Sequence, residues 1–320
     1  MKKMRRSLVI LVFVMLLSAC GATPTPKPAA PLRIGVNLWP GLYPAAIAKE
    51  KGIFAKHNVD IELIYYASYP DVYSDLVANK VDGISVIIGD ILPISTQKNI
   101  QMIFPVDASD GADVLIVGPD IKSAADLKGK RIGVSFGTYG ELFVQTLLKQ
   151  NNIGITDVTL VNISPEAATT AFPSQVDVVH TYEPYASDVV KAGGHTLFTS
   201  HETPNLVLGM MTFPTSIINE RPQDIQAFTN AWFEAVDWMN ANPNDVPDVV
   251  AKGFGLKPED IFIGGDKVFT LAEAKTIMKP GDDASSAYFI TQSYIDFLSV
   301  SGILTIKPNL KNLINPSFLQ

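Results

Sequence analysis

A four-letter sequence that occurs twice constrains the fold of this chain more than any other feature. The letters RIGV occupy residues 33–36 and return at residues 131–134. Each copy is predicted to open a short apolar strand, which runs through a turn rich in Gly, Pro or Tyr into a helix. Such a unit places a helix N-terminus, with free backbone N–H groups, at the carboxyl edge of a sheet.

The repeat extends beyond these letters to three strands and two helical segments. Second strands are predicted at residues 59–66 and 158–163, and Asp82 and Asp177 precede the third strands. Corresponding positions lie 95 to 98 residues apart, whereas solenoid repeats are roughly 20–50 residues long. The pattern therefore predicts an α/β fold with two lobes, each a mainly parallel sheet flanked by helices.

The N-terminal segment has the features of a targeting sequence. Four Lys or Arg residues stand within the first six positions, and an apolar run follows at residues 8–17. That run is too short for a membrane-spanning helix, which needs about 20 residues. Small residues precede Cys20, the only cysteine, and resemble the bacterial lipoprotein processing box. This resemblance implies a lipoprotein signal peptide at residues 1–19 and a lipid on Cys20, with an ordinary signal peptide as the alternative.

The remaining chain is acidic and follows a Pro-rich linker at residues 20–31. The whole sequence has a net charge of −7, and removal of the four positive charges in residues 1–19 leaves −11. An acidic body disfavours nucleic-acid binding and broad adhesion to anionic lipid.

Breaker residues suggest where the two lobes divide. Gly118-Pro119 follows an apolar strand, and a polar stretch ends near Pro204. We therefore expect lobe 1 to comprise residues 32–117 plus 206–320, and lobe 2 residues 118–205, joined by a two-crossing hinge. An apolar stripe through Trp232 is expected to belong to the core of lobe 1.

Several motifs, taken together, resemble one family of transport proteins. They are WPGLYP at residues 39–44, AKEKGIF at 48–54, KGKRIGV at 128–134, the segment 176–185 and LINPSFL at 313–319. The chain resembles the solute-binding lipoproteins of ABC importers, in the branch that binds nitrate, alkanesulfonate, taurine and thiamine pyrimidine. The resemblance implies a two-lobed periplasmic-binding-protein-like fold that closes around a small solute. It also implies a lipid-anchored, extracytoplasmic monomer that docks on an ABC permease and its ATPase.

Candidate ligand-binding residues are those at the carboxyl ends of the predicted strands. They are Asn37, Trp39, Tyr43 and Asp90 in lobe 1, and Ser135, Thr138, Tyr139, Tyr182 and Glu183 in lobe 2. Each tyrosine could instead pack in the core or on the surface, Asp90 could cap a helix, and Glu183 could belong to a turn. This aromatic and acidic set, without Lys or Arg, favours an amine-bearing solute such as a taurine-like zwitterion or an aminopyrimidine. A plain anion could bind the helix N-termini instead, and nitrate is the least favoured ligand.

An enzyme is the main competing class, in particular one similar to cofactor-consuming pyrimidine synthases. The body contains no cysteine, and its four histidines lack metal-ligand spacing. No Gly-x-Ser-x-Gly elbow or phosphate-binding loop occurs, so no catalytic, metal or cofactor residue is predicted. A lobe that senses ligand for a receptor is a further alternative. The orientation of His180 relative to the cleft remains open at this point.

Overall fold

The structure is a computed structural model that describes residues 30–66, 71–183 and 185–320. The predicted signal peptide, Cys20 and nearly all of the linker lie outside these ranges. Within them the β-strands are β1 (Leu32–Val36), β2 (Ile61–Tyr65), β3 (Gly83–Ile87), β4 (Ile100–Ser109), β5 (Val114–Val117), β6 (Arg131–Val134), β7 (Thr159–Asn162), β8 (Val178–Thr181), β9 (His195–Thr199), β10 (Leu208–Pro214) and β11 (Asp266–Val268).

Helices connect and flank these strands. They are α1 (Tyr43–Glu50), α2 (Ile53–Lys56), α3 (Asp71–Val77), α4 (Ile88–Ser95), α5 (Tyr139–Gln150), α6 (Ala168–Ala171), α7 (Tyr185–Lys191), α8 (Thr215–Glu220), α9 (Pro222–Ala241), α10 (Val246–Phe254), α11 (Leu271–Ile277), α12 (Ala287–Val300) and α13 (Leu310–Leu313). No helix in the described ranges is long and apolar enough to cross a membrane.

The strands form two sheets with the same internal order. The first sheet runs β2-β1-β3-β10-β4-β11 and the second runs β7-β6-β8-β5-β9. In each sheet the first three strands of the repeat pair in parallel, and one antiparallel strand, β10 or β5, lies beside the third. The predicted fold of two mainly parallel sheets flanked by helices is confirmed.

The repeated letters correspond to a repeated ion pair at the amino ends of the strands. The backbone N–H of Arg33 donates to Asp82 at 2.9 Å, and its guanidinium donates to the same carboxylate at 2.6 Å. Arg131 binds Asp177 in the same way, at 2.9 and 2.8 Å. Each pair ties the first strand of a lobe to the start of the third, at the edge opposite the predicted site.

One predicted boundary is wrong, because β5 belongs to the second sheet. Residues 114–117 were expected to end lobe 1, but they pair antiparallel with β8 and β9. All four residues of β5 are buried. A short strand that is apolar on both faces carries no local information about which sheet it joins. The chain therefore crosses between the sheets at residues 110–113, and crosses back at residues 200–207.

The core of the first lobe forms around aromatic side chains on β4 and α9. Phe104, Phe228 and Trp232 lie with ring centroids 5.6 to 6.3 Å apart. All three are fully buried. The predicted stripe of α9 is thus core, and α9 begins with Pro222 at its first turn, where a missing N–H costs nothing.

Candidate functional site

A cleft with a cavity volume of about 110 Å³ lies at the carboxyl edges of both sheets. The residues that line it are Asn37, Trp39, Leu42, Ser85, Val86, Ile87, Asp107, Ser109, Asp113, Tyr139, Tyr182, Val207 and Gly209. Strand ends of the first sheet supply most of these residues, and Tyr139 and Tyr182 come from the second lobe. Four of the nine predicted site residues are therefore brought together.

Three aromatic side chains form the walls of this cleft. Trp39 follows β1, and its backbone N–H donates to the Asn37 side chain at 3.2 Å. Tyr139 begins α5 and lies edge-on to the ring of His180, with centroids 5.9 Å apart. Tyr182 follows β8 and donates its hydroxyl proton to Glu166 at 3.0 Å. Burial, with the nearby Glu166 charge, raises the pKa of Tyr182, so this hydroxyl remains neutral.

Two predicted residues of the first lobe lie elsewhere. Tyr43 is 1% exposed and donates its hydroxyl proton to the carbonyl oxygen of Phe262 at 2.9 Å. It begins α1 and faces the core, so it does not line the cleft. β3 ends at Ile87, earlier than predicted, so Asp90 lies in the first turn of α4. Asp90 accepts a hydrogen bond from Tyr73 at 3.1 Å, and burial raises its pKa to about 7.

Three predicted residues of the second lobe serve local backbone geometry. The Thr138 hydroxyl accepts from Gly140 N–H at 3.2 Å and donates to the Ser135 carbonyl at 2.8 Å, which caps α5. Glu183 accepts from the hydroxyl and N–H of Ser187 in the first turn of α7. Thr138 and Glu183 each accept from an N–H group at the start of a helix, and this competing role explains why they do not line the cleft, whereas Ser135 contributes only its carbonyl oxygen to the turn.

Two carboxylates that the sequence analysis missed line the base of the cleft. Asp107, on β4, is 5% exposed, and Asp113, just before β5, is 2% exposed. Asp107 Oδ2 accepts from the indole Nε1 of Trp39 at 2.5 Å. A Cβ at Gly41 or Gly209 would lie only 2.3 and 2.2 Å from Asp107 atoms. A charged residue inside an otherwise apolar strand was the available signal for Asp107.

A third acid, Asp266 on β11, lies behind Asp107. Both of its carboxyl oxygens are buried and accept no hydrogen bond from a donor in the described ranges. Burial and the Asp107 charge raise the pKa of Asp266 well above its ordinary value. Burial also raises the pKa of Asp107. Burial and the repulsion between these two carboxyl groups therefore disfavour the state in which both are ionised.

His180 is connected to the cleft through Asp113. It is 1% exposed, and its Nε2 lies 3.2 Å from Asp113 Oδ1. Its Nδ1 has no partner within the described residues and packs against Gly140, where a Cβ would lie at 2.6 Å. The tautomer with hydrogen on Nε2 donates to Asp113 and leaves no buried N–H unsatisfied. His180 thus positions Asp113 without lining the cleft itself.

The lining of the cleft contains acids but no Lys or Arg. Across the described ranges, no Lys or Arg side-chain nitrogen forms an ion pair with Asp107, Asp113 or Asp266. Nor do these ranges contain a group of three or more His, Cys, Asp or Glu side chains arranged to hold a metal ion. The lining of the cleft is therefore rich in acidic and aromatic side chains.

The two crossings meet beside the base of the cleft. The hydroxyls of Ser109 and Ser200, both buried, lie 2.8 Å apart. Ser200 Oγ also accepts from Gly111 N–H at 2.6 Å, and Asp113 N–H donates to Ser109 Oγ at 3.1 Å. The base of the cleft therefore lies next to the two segments that join the sheets.

Sequence comparison identifies the family. The sequence model of the NMT1-like family matches residues 25–252, more than half of the chain. The chain belongs to the NMT1-like family. A Bacillus subtilis relative named for aliphatic-sulfonate binding is 29% identical to this NMT1-like chain over 264 residues, which cover 77% of each protein. The resemblance inferred from the motifs is confirmed.

Solved structures share the fold of this NMT1-like protein. The periplasmic aliphatic sulphonate binding protein SsuA of Escherichia coli aligns with a TM-score of 0.71 at 18% identity, covering 91% of this chain and 99% of SsuA. The desulfurization enzyme DSZB aligns with a TM-score of 0.64 at 17% identity, covering 91% of this chain and 98% of the enzyme. The fold is that of periplasmic binding proteins, and it occurs in at least one enzyme.

Proposed function

We propose that this protein is an extracytoplasmic solute-binding lipoprotein that captures a small nitrogen- or sulfur-containing organic solute and delivers it to an ABC permease. The observation that supports this proposal most directly is the cleft at the carboxyl edges of both sheets. Trp39 and Asp107 line it from one lobe, and Tyr139 and Tyr182 line it from the other. Membership of the NMT1-like family and the sulfonate-binding relative support the same function. The aromatic and acidic lining suits a taurine-like zwitterion or an aminopyrimidine-like solute.

Lobe closure is the proposed mechanism of capture. A solute that contacts both lobes binds the closed arrangement more tightly than the open one, so binding shifts the population toward closure. The two crossings, tied together through Ser109 and Ser200, are the hinge about which this motion would occur. The closed form would then be the one that docks on the permease, and the protein acts as a monomer.

Tryptophan fluorescence tests solute capture directly. Trp39 lines the cleft, whereas Trp232 is buried in the core and Trp238 lies under Lys51 Nζ at 4.3 Å. A deproteinised cell extract that contains the solute should change the fluorescence of the wild-type protein, and Trp39→Phe should abolish this change. Small-angle X-ray scattering of the same samples should show a smaller radius of gyration. An extract series that changes neither quantity would contradict the proposal.

The membrane anchor is proposed from the sequence alone. Cys20 follows the predicted signal peptide and a Pro-rich linker comes after it, so a lipid there would hold the folded body near the membrane surface. A single acyl chain anchors weakly, and stable attachment requires more than one. Intact mass spectrometry of the mature protein from the membrane fraction tests this, since the lipid adds mass to the N-terminal peptide.

Binding rather than catalysis is the function that the cleft supports best. The relation to DSZB keeps an enzyme in consideration. His180 and Asp113 are the acid–base pair beside the cleft, but His180 does not line it. The bound compound should therefore be recovered chemically unchanged after release, which mass spectrometry can measure. Turnover by the wild type that is lost in His180→Gln would favour the enzyme.

A further inference from the structure

Asp113 presents a buried carboxylate to the cleft. It is 2% exposed, and its Oδ1 is held by His180 Nε2 at 3.2 Å. Its backbone N–H donates to the Ser109 hydroxyl, and its carbonyl oxygen accepts from the Ser200 N–H. The backbone of Asp113 is thus held by hydrogen bonds to both segments that join the sheets. Burying a carboxylate is costly unless a cation or several donors accompany it. Lys and Arg are absent from its surroundings in the described ranges.

Asp107 presents a second carboxylate from the first lobe. It lies between Gly41 and Gly209, and any larger residue at either of these two positions would occupy the space of the Asp107 side chain. The indole of Trp39 donates to it, and the carboxyl group of Asp266 lies near enough to affect its charge; neither group carries a positive charge. Both Asp266 oxygens are buried without a donor in the described part of the chain. The acids on the two sides of the cleft base are thus close-packed, and in the described part of the chain neither has a Lys or Arg partner; Asp113 is paired with His180.

The N-terminus of α5, at the cleft, is already satisfied by side chains of the protein itself. In the turn before α5, Gly137 N–H donates to Glu141 at 2.7 Å and Gly140 N–H donates to Thr138. In the turn before α1, the Asp107 carboxylate lies against Gly41. Free N–H groups at such termini are the usual binding site for an anion, and at α5 an acidic and a hydroxyl side chain accept from two of them. An anionic head group would meet carboxylates instead.

We propose that the solute carries a cationic nitrogen group, an ammonium or amidinium, that binds at the base of the cleft between Asp107 and Asp113. This inference rests on the proposed solute capture and specifies the chemistry of the ligand. The cationic group donates hydrogen bonds, and the carboxylates of Asp107 and Asp113, which both line the cleft, accept them. Trp39, Tyr139 and Tyr182 then stack on the flat remainder of the solute and add cation–π attraction. A solute that is only a sulfonate does not fit this base.

Matched probes of equal shape and different charge test the proposal by isothermal titration calorimetry. One set is benzylamine, benzyl alcohol and phenylmethanesulfonate, and the other is benzamidine, benzamide and benzenesulfonate. We expect each cation to bind at least about tenfold more tightly than its neutral and anionic counterparts, because hydrogen bonds to charged groups are the stronger ones. A neutral or anionic probe that binds more tightly than its cationic counterpart overturns the proposal and leaves solute capture intact.

Conservative variants separate the role of the acids from general effects. Asp113→Asn keeps the acceptor for His180, and we expect it to weaken cation binding at least about tenfold. Asp107→Asn should act in the same direction. Asp120→Asn removes the same charge from an exposed position and serves as the control. Equal affinity of the wild type and Asp113→Asn for the cations overturns the proposal.

The melting temperature and the Trp39 fluorescence are two further measurements that test the proposal. Without ligand, Asp113→Asn should leave the Tm unchanged or raised, because an uncompensated buried charge is removed; a lowered Tm gives Asp113 a structural role and contradicts the proposal. If no probe binds, the Trp39 response to cell extract decides. A response that survives in Asp113→Asn removes only the cation assignment, whereas no response in the wild type removes solute capture as well. Stabilisation of the wild type by Mg²⁺ or Ca²⁺ alone assigns the acids to a metal and overturns the proposal.

Discussion

At the scale of single residues, the site depends on where small residues allow charged ones to be buried. Asp107 fits only because Gly41 and Gly209 have no side chain, and His180 fits against Gly140 for the same reason. In a close-packed interior, a methyl group at any of these glycines would have to displace its neighbour. The acids and the glycines therefore form one unit, although they are far apart in the sequence.

Asp90 gives a prediction about pH. Burial raises its pKa to about 7, whereas an unfolded Asp has a pKa of about 4. Between these values the folded protein holds a proton that the unfolded chain releases, so stability falls as pH rises through this window. Asp90→Asn removes the effect. We expect the unfolding free energy of the variant, minus that of the wild type, to increase from about pH 4 to about pH 7 and then stay constant.

Urea denaturation across this pH range measures that difference. The exposed control Asp120→Asn should give a difference that does not follow this course. Parallel stability curves for the wild type and Asp90→Asn would show that Asp90 does not titrate in this window.

At the scale of elements, each lobe is organised by the same ion pair at the amino ends of its strands. The two pairs differ in burial: the Asp82 side chain is 10% exposed and the Asp177 side chain 34%. Arg131 lowers the pKa of Asp177 by hydrogen bonding to it. Each carboxylate accepts from both a backbone N–H and a guanidinium, so it stabilises strand register as well as charge.

The difference in burial predicts unequal costs for the same substitution. Asp82→Asn should lower the unfolding free energy by about 1–3 kcal/mol, because it leaves part-buried donors unsatisfied. Asp177→Asn should cost about 0–1 kcal/mol, as for exposed ion pairs. Urea denaturation of both variants at neutral pH gives the two values. A larger cost at Asp177 would mean that burial does not determine the strength of these pairs.

At the scale of the whole molecule, the lobes are joined by two crossings, in which β4 leads into β5 and β9 leads into β10. Ser200 connects the crossings, since its hydroxyl contacts Ser109 and accepts from Gly111 N–H. Asp113 belongs to the same network, because its N–H donates to Ser109. The base of the cleft, which Asp113 lines, therefore lies directly beside the two crossings. This adjacency is how a small solute could alter the arrangement of two lobes.

Ser200→Ala tests the importance of this network. It removes both hydrogen bonds and leaves the Gly111 N–H without its acceptor, so we expect a loss of about 1–3 kcal/mol in unfolding free energy. Ser317→Ala, at an exposed position, is the control and should change little. Equal stability of the two variants would show that the Ser109–Ser200 contact does not hold the crossings together.

Much of the fold could be predicted because local patterns repeat. The letters RIGV, the aspartates 95 residues apart and the alternation of strands with helices define two α/β lobes without any knowledge of contacts. The same patterns indicated that strand ends would supply the site, and Trp39, Tyr139 and Tyr182 do line the cleft. They could not assign β5 to a sheet, because four apolar residues pair equally well with either.

The sequence by itself determined the duplicated architecture, the aromatic strand ends and the acidic balance of the chain, because each is encoded within a few neighbouring residues or in the composition. Tertiary structure decided which polar residues face the cleft, because Thr138 and Glu183 instead accept hydrogen bonds from N–H groups in the first turns of α5 and α7. It also brought Asp107 and Asp113 together with Asp266, more than 150 residues away along the chain. Such convergence depends on strand order and on glycines that leave space, and neither can be read from the residues that converge.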